Sequence, residues 1–134
     1  MNFRQLPQEY QDLVFALEDR GMEMTAFNFL PEEFGNLYIE LASPDLDVRL
    51  MRERGFGIID VKSPLDRQWF GLELVMAHLE DEQLACQMVY WGEMKDFLLE
   101  RFREIARLFA AEDFAGTRQR LTDLEEIRTK WLFG

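Results

Sequence analysis

Cysteine is almost absent. The single Cys86 excludes an internal disulfide framework and a cysteine-rich zinc site. It lies in Leu84-Ala85-Cys86-Gln87-Met88, a mostly apolar setting that suits a reduced, structural thiol rather than a nucleophile, which would need a cation or imidazole beside it. Basic residues are also scarce. Fifteen Lys and Arg stand against 26 Asp and Glu, a formal net charge of −11. Such a surface has few cations to replace phosphate counterions, so non-specific nucleic-acid binding is not expected. An anionic membrane surface would repel it for the same reason. No run approaches the length of uncharged apolar sequence that crosses a bilayer. The start, Met1-Asn2-Phe3-Arg4-Gln5-Leu6-Pro7, has no apolar run behind a basic leader. A cytoplasmic location is the expectation. Phosphate-loop, dinucleotide-fold and nucleophile-elbow glycine patterns are all missing.

What the chain does have is apolar material. Of its 134 residues, 48% are hydrophobic and twelve are Phe, so a core can form without metal or disulfide. Burying one Phe or Leu side chain contributes about 1.5–3 kcal/mol. No repeat or linker divides the sequence, and the acid excess is shared. Residues 1–70 carry 7 bases and 13 acids, and residues 71–134 carry 8 and 13. One domain over residues 1–134 is expected.

Periodicity predicts α+β: an N-terminal helix, an antiparallel meander of three to four strands, and a helical C-terminal half packed on one sheet face. Tyr10, Leu13, Val14 and Leu17 form a helical stripe, with Pro7 at its start and Gly21 at its stop. Met22 to Phe29 reads as a strand, ended by Pro31-Glu32-Glu33. Leu37, Ile39 and Leu41 alternate with polar neighbours, as do Leu46, Val48 and Leu50, and Phe56 to Val61 makes a further strand. The turns are Ser43-Pro44-Asp45 and Arg52-Glu53-Arg54-Gly55. The face with Leu37, Ile39 and Leu41 should meet the helices. The face with Glu40, Asp47, Arg49 and Asp60 should be wet. Ser63-Pro64 predicts a helix start, with Trp69, Leu72, Met76 and Leu79 as its stripe. A long helix is expected from about Glu93 to Phe109, and a last one capped near Thr117 after Ala115-Gly116. Trp131-Leu132-Phe133 is apolar enough to be expected to dock.

Few residues suggest chemistry. His78 could be a metal ligand or a base oriented by Glu82, but a helix-end histidine balancing nearby acids is the simpler account. Glu80-Asp81-Glu82 is the densest acid run. Consecutive helical acids point apart, so the run by itself makes no cation cage. Arg49, Arg52 and Arg54 form the local basic cluster, read as charge protecting an edge strand rather than as an anion grip. Met22, Met24, Met88 and Met94 are expected to fill core gaps. No catalytic residue, metal site or cofactor is expected.

The opening helix, the hairpins running through Tyr38-Ile39-Glu40-Leu41, Val48-Arg49-Leu50 and Arg54-Gly55-Phe56-Gly57-Ile58-Ile59-Asp60-Val61, and the helical tail together set the layout. In that layout the chain resembles the small acidic immunity proteins of bacterial polymorphic toxin systems. The resemblance implies a non-catalytic cytoplasmic partner that neutralises one cognate toxin by covering its active cleft. Such a toxin would present a basic surface, and opposite charge would speed the encounter. Acids beside aromatics are the natural contact residues. On that basis Glu80, Asp81 and Glu82 with Trp91 form one candidate patch, and Glu32 and Glu33 another. The alternatives are a regulatory homo-oligomer, for instance a homodimer, and a carboxylate- or metal-dependent hydrolase.

Overall fold

The computed structural model describes residues 3–134. The N-terminal motif Met1-Asn2 lies outside the described residues. The chain is α+β. A helix, α1 (Gln8–Asp19), is followed by β1 (Glu23–Leu30), β2 (Asn36–Ala42), β3 (Asp47–Glu53), β4 (Phe56–Lys62) and the short β5 (Phe70–Gly71). Then come α2 (Leu72–Leu79), α3 (Trp91–Glu100), α4 (Phe102–Phe109) and α5 (Phe114–Phe133). The strands form an antiparallel meander in the order β1-β2-β3-β4-β5. None of the described helices is long and apolar enough to cross a membrane.

The alternation of the strands decides which side is covered. Leu37, Ile39, Leu41, Val48, Leu50, Ile59 and Val61 all point one way and are at most 5% exposed. They meet the α1 stripe Tyr10, Leu13, Val14 and Leu17, and the apolar faces of α2 to α5. This is the core the alternation predicted, because a side-chain period of two leaves one sheet face to be buried.

The predicted helix start at Ser63 is corrected. Ser63 opens a turn instead: its Oγ accepts the Leu65 N–H and its carbonyl accepts the Asp66 N–H. The chain then pairs Phe70 and Gly71 with Val61 and Asp60 before α2 begins. Trp69 consequently lies over the open sheet face, not on a helical stripe. The helix expected from Glu93 to Phe109 starts at Trp91 and is interrupted at Arg101 (φ −109°, ψ 19°). Two i→i−4 bonds still bridge the interruption, Arg101 N–H to Phe97 O and Ile105 N–H to Arg101 O. Gly116 did not break the last helix. α5 starts at Phe114, and Thr117 sits inside its first turn, its hydroxyl donating to Asp113 O.

Two further expectations fail. Trp131 and Leu132 are each 51% exposed and Phe133 83%, so the C-terminus does not dock. The face expected to be wet is only partly so. Asp60 is buried, and it pairs with Arg49 at 2.5 Å. The Arg49 guanidinium lies 4.5 Å from the Trp69 ring centroid, and Lys62 sits over the same ring while bonding Asp47 at 2.7 Å. A tryptophan placed by the Ser63 turn thus shelters a row of charges that alternation alone had assigned to solvent.

Candidate functional site

The structure separates Trp91 from the acids with which it was grouped. Trp91 begins α3, and its ring stacks on Tyr10 of α1 at 4.4 Å, with 30° between the planes. It also lies against Gly57 of β4, where a Cβ would come within 2.5 Å of the indole and 2.9 Å of the Tyr10 hydroxyl. Gly57 therefore permits a three-way contact between α1, α3 and the sheet. Trp91, partly buried, is thus packed against α1 and the sheet. The signal for this was the glycine inside a strand.

The three acids of the run Glu80-Asp81-Glu82 are exposed, and each has a nearby partner. Glu80 pairs with Arg101 at 3.2 Å, and Glu82 with Arg120 at 3.6 Å. Asp81 caps the short 3-10 turn Glu82–Cys86, accepting the Gln83 N–H at 3.0 Å. The three acids point apart, as their spacing required, and each ties down one local element. Arg120, not an acid, faces His78. Burial, then that cation, lowers the imidazole's pKa. His78 does stand in the last turn of α2, as expected, with Arg120 rather than an acid as the charge acting on it. Among the described residues no cluster of His, Cys, Asp and Glu could hold a metal ion.

The arginine cluster is also dispersed. β3 lies inside the sheet, between β2 and β4, so its arginines protect no edge. Arg49 serves the open face. Arg52 turns to the helix side, its Nε donating to Gly35 O at 3.1 Å and its guanidinium 5.7 Å from the Tyr10 ring centroid. The methionines divide. Met22 and Met94 are buried, whereas Met24 is 36% and Met88 69% exposed.

The second acidic pair, Glu32 and Glu33, has different surroundings. Both are exposed in the turn between β1 and β2. That turn is closed by Glu33 N–H to Leu30 O and Asn36 N–H to Glu33 O, both 3.0 Å. Phe34 follows with φ +58° and Gly35 with φ +68°. A bulky residue in left-handed backbone costs about 1–3 kcal/mol and persists only where its surroundings enforce it. Arg52 braces the turn at the next residue, Gly35. Its guanidinium sits so close beneath Gly35 that a Cβ there would meet it at 2.5 Å. The neighbouring β3–β4 turn is tied to this one, because the Arg54 N–H donates to Asn36 Oδ1 at 2.8 Å. Arg54 is itself left-handed, φ +51°.

The two turns lie at one end of the sheet, and each displays an aromatic. Phe34 is 79% and Phe56 70% exposed. Met88 and Tyr90, 69% and 66% exposed, lie on the segment that enters α3 beside Gly57. This end of the sheet therefore presents Phe34 and Phe56 at hydrogen-bonded turns, with Glu32, Glu33 and Glu53 around them. Sequence reading found the two acids but missed Phe34 and Phe56, since exposure of a phenylalanine in a turn is decided by the turn's closure. Beside the tip, on the open face, a depression of about 200 Å³ separates Asn28 and Tyr38 from Leu30, Asn36 and Glu53.

A wider depression of about 700 Å³ is lined by Asp19, Glu100 and Glu104 together with Arg20, Arg101 and Arg103. Three acids and three bases line it, and one of the carboxylates, Glu104, is bonded to Arg101 at 2.6 Å. No family model, curated protein or solved structure matches the chain.

Proposed function

We propose that the chain is a protein-binding domain that neutralises a cognate toxin by docking its aromatic tip against the toxin's basic surface, as an immunity protein does. One observation supports this above the others: Phe34 is held in solvent, in a backbone conformation its side chain disfavours, by a turn braced from beneath by Arg52. A fold gains nothing from that arrangement by itself. An exposed phenylalanine with a second, Phe56, on the adjoining turn is the anchor type that contributes most to binding when a partner covers it. The net charge of −11 supplies the long-range attraction to a cation-rich partner, and Glu32 and Glu33 supply the polar rim.

The test is co-expression with the toxin candidate encoded next to the gene. Wild-type protein should protect growth and bind the toxin domain in a purified pair. The double variant Phe34→Ser/Phe56→Ser should lose both while keeping its unfolding midpoint. Full protection by that folded variant would refute the proposed surface, and failure of the wild type to bind any such domain would refute the function.

A second reading, self-association, has one observation in its favour: Trp131, Leu132 and Phe133 stand exposed at the end of α5. Sedimentation over a range of concentrations tests it, and a dimer lost in Trp131→Ser/Phe133→Ser would support it.

A further inference from the structure

The open face of the sheet is not uniform beside the tip. Strand register sets Asn28, Tyr38, Met51 and Ile58 side by side in one row, and Leu30, Asn36 and Glu53 in the next row toward the turns. Between the rows lies the depression of about 200 Å³. Its walls are of two kinds. Leu30, Met51 and the Tyr38 ring offer apolar surface, and the Tyr38 hydroxyl is turned away to donate to Glu40. Asn28 and Glu53 line it with polar side chains, while Asn36 Oδ1 already accepts the Arg54 N–H.

The charges around it are unequal in availability. Arg52 borders the depression, but its guanidinium is committed on the helix side, to Gly35 O and the Tyr10 ring. Arg54 lines the neighbouring depression with Phe56 and Ile58, and Glu53 borders both depressions. Glu53 makes no ion pair among the described residues, and Glu32 and Glu33 on the adjoining turn make none either. Arg52 and Arg54 form no ion pair among the described residues either, so three unpaired carboxylates, Glu32, Glu33 and Glu53, stand against two guanidiniums around the opening, and the balance there is negative by one charge. A cavity with apolar sides, an aromatic face and a carboxylate beside the Asn28 amide matches a long cationic side chain: the methylenes contact the walls, the ring attracts the cation, and the carboxylate accepts its N–H groups.

We infer that this depression is the receptor for a lysine or arginine side chain projecting from the basic partner. The inference rests on the proposed docking function for the source of the cation, but the pocket can be tested without any partner.

The experiment is an NMR titration of the 15N-labelled full chain with N-acetyl-arginine amide, N-acetyl-lysine amide and, as the uncharged counterpart, N-acetyl-norleucine amide. The Asn28 and Asn36 side-chain amides and the Tyr38 backbone amide are the reporters. Saturable shifts are expected with the cationic probes in the millimolar range. Glu53→Gln should weaken them about fivefold, and the norleucine probe should leave the reporters in place. A larger response to arginine than to lysine assigns the guanidinium as the preferred group, and the reverse assigns the ammonium. Both outcomes support the inference. No saturable shift with either cation, an equal response to norleucine, or full retention of binding in Glu53→Gln overturns it. Glu53 is exposed at a strand end, so its variant is not expected to disturb the fold. If the pocket stays silent while the toxin domain still binds through Phe34 and Phe56, only this inference falls. If the pocket fills but no toxin domain binds, the docking function falls instead.

Discussion

The two acidic runs of this chain meet opposite fates. Glu80-Asp81-Glu82 is the denser, yet two of its carboxylates are held by Arg101 and Arg120 and the third caps a turn. Glu32-Glu33 is sparser, yet it stands free beside exposed aromatics on a braced turn. Density of charge along the chain measures what a segment could do. What it is free to do depends on which cations the tertiary fold brings to it. Arg101 and Arg120 lie 21 and 38 positions away from their partners, so no local rule would pair them.

Trp91 provides the strongest test of this contrast. If it is a structural residue, Trp91→Ala should lower unfolding free energy by about 3–5 kcal/mol in urea, as buried aromatic truncations do. A loss under about 1 kcal/mol would return Trp91 to the surface-anchor role assigned from its sequence neighbours. Next comes the tip. Phe34→Ser/Phe56→Ser should weaken toxin binding by about 2–4 kcal/mol with the unfolding midpoint unchanged. Charge reversal discriminates the two runs directly. Glu32→Lys/Glu33→Lys should slow association about tenfold at low salt and flatten its salt dependence. Glu80→Lys/Glu82→Lys should change the association rate much less, and cost about 1 kcal/mol or less of stability for each exposed ion pair lost. Equal effects on association would erase the distinction.

The smallest effect concerns the sheltered row under Trp69. Burial raises the Asp60 carboxyl above its ordinary range, and the Arg49 contact offsets only part of that. A carboxyl whose folded-state pKa is raised binds its proton more tightly in the folded chain. Its stabilising effect is thus complete below the unfolded-state value and is lost as pH rises through the folded value. Relative to Asp60→Asn, the wild type should lose stability as pH rises from the unfolded-state pKa of Asp60 through its raised folded-state value. Urea unfolding of both proteins at several pH values measures this. Parallel curves would mean that Arg49 fully compensates the burial.

Much of the architecture could be read locally. The stripe Tyr10, Leu13, Val14, Leu17 and the alternating Leu37, Ile39, Leu41 each face the core as their periods require. The misreadings share one cause. Ser63-Pro64 is a good helix start and an equally good turn, and pairing of Phe70-Gly71 with β4 chose the turn. Gly116 is a usual stop, but Leu121 and Leu124 bury the following turns and outweigh its cost of about 1 kcal/mol. The candidate site was half visible. Its acids could be seen, whereas the turn that carries Phe34 is braced at Gly35 by Arg52, seventeen residues away.

Periodicity, charge balance and the placement of turns along the chain were enough to specify an acidic α+β protein with one covered sheet face. These properties arise from neighbours a few positions apart, where spacing alone sets geometry. Which carboxylates stay free, which tryptophan is structural and which phenylalanines meet solvent were settled by contacts between distant segments. Burial and ion pairing are pairwise properties of the folded chain, and a residue's sequence neighbours do not contain them.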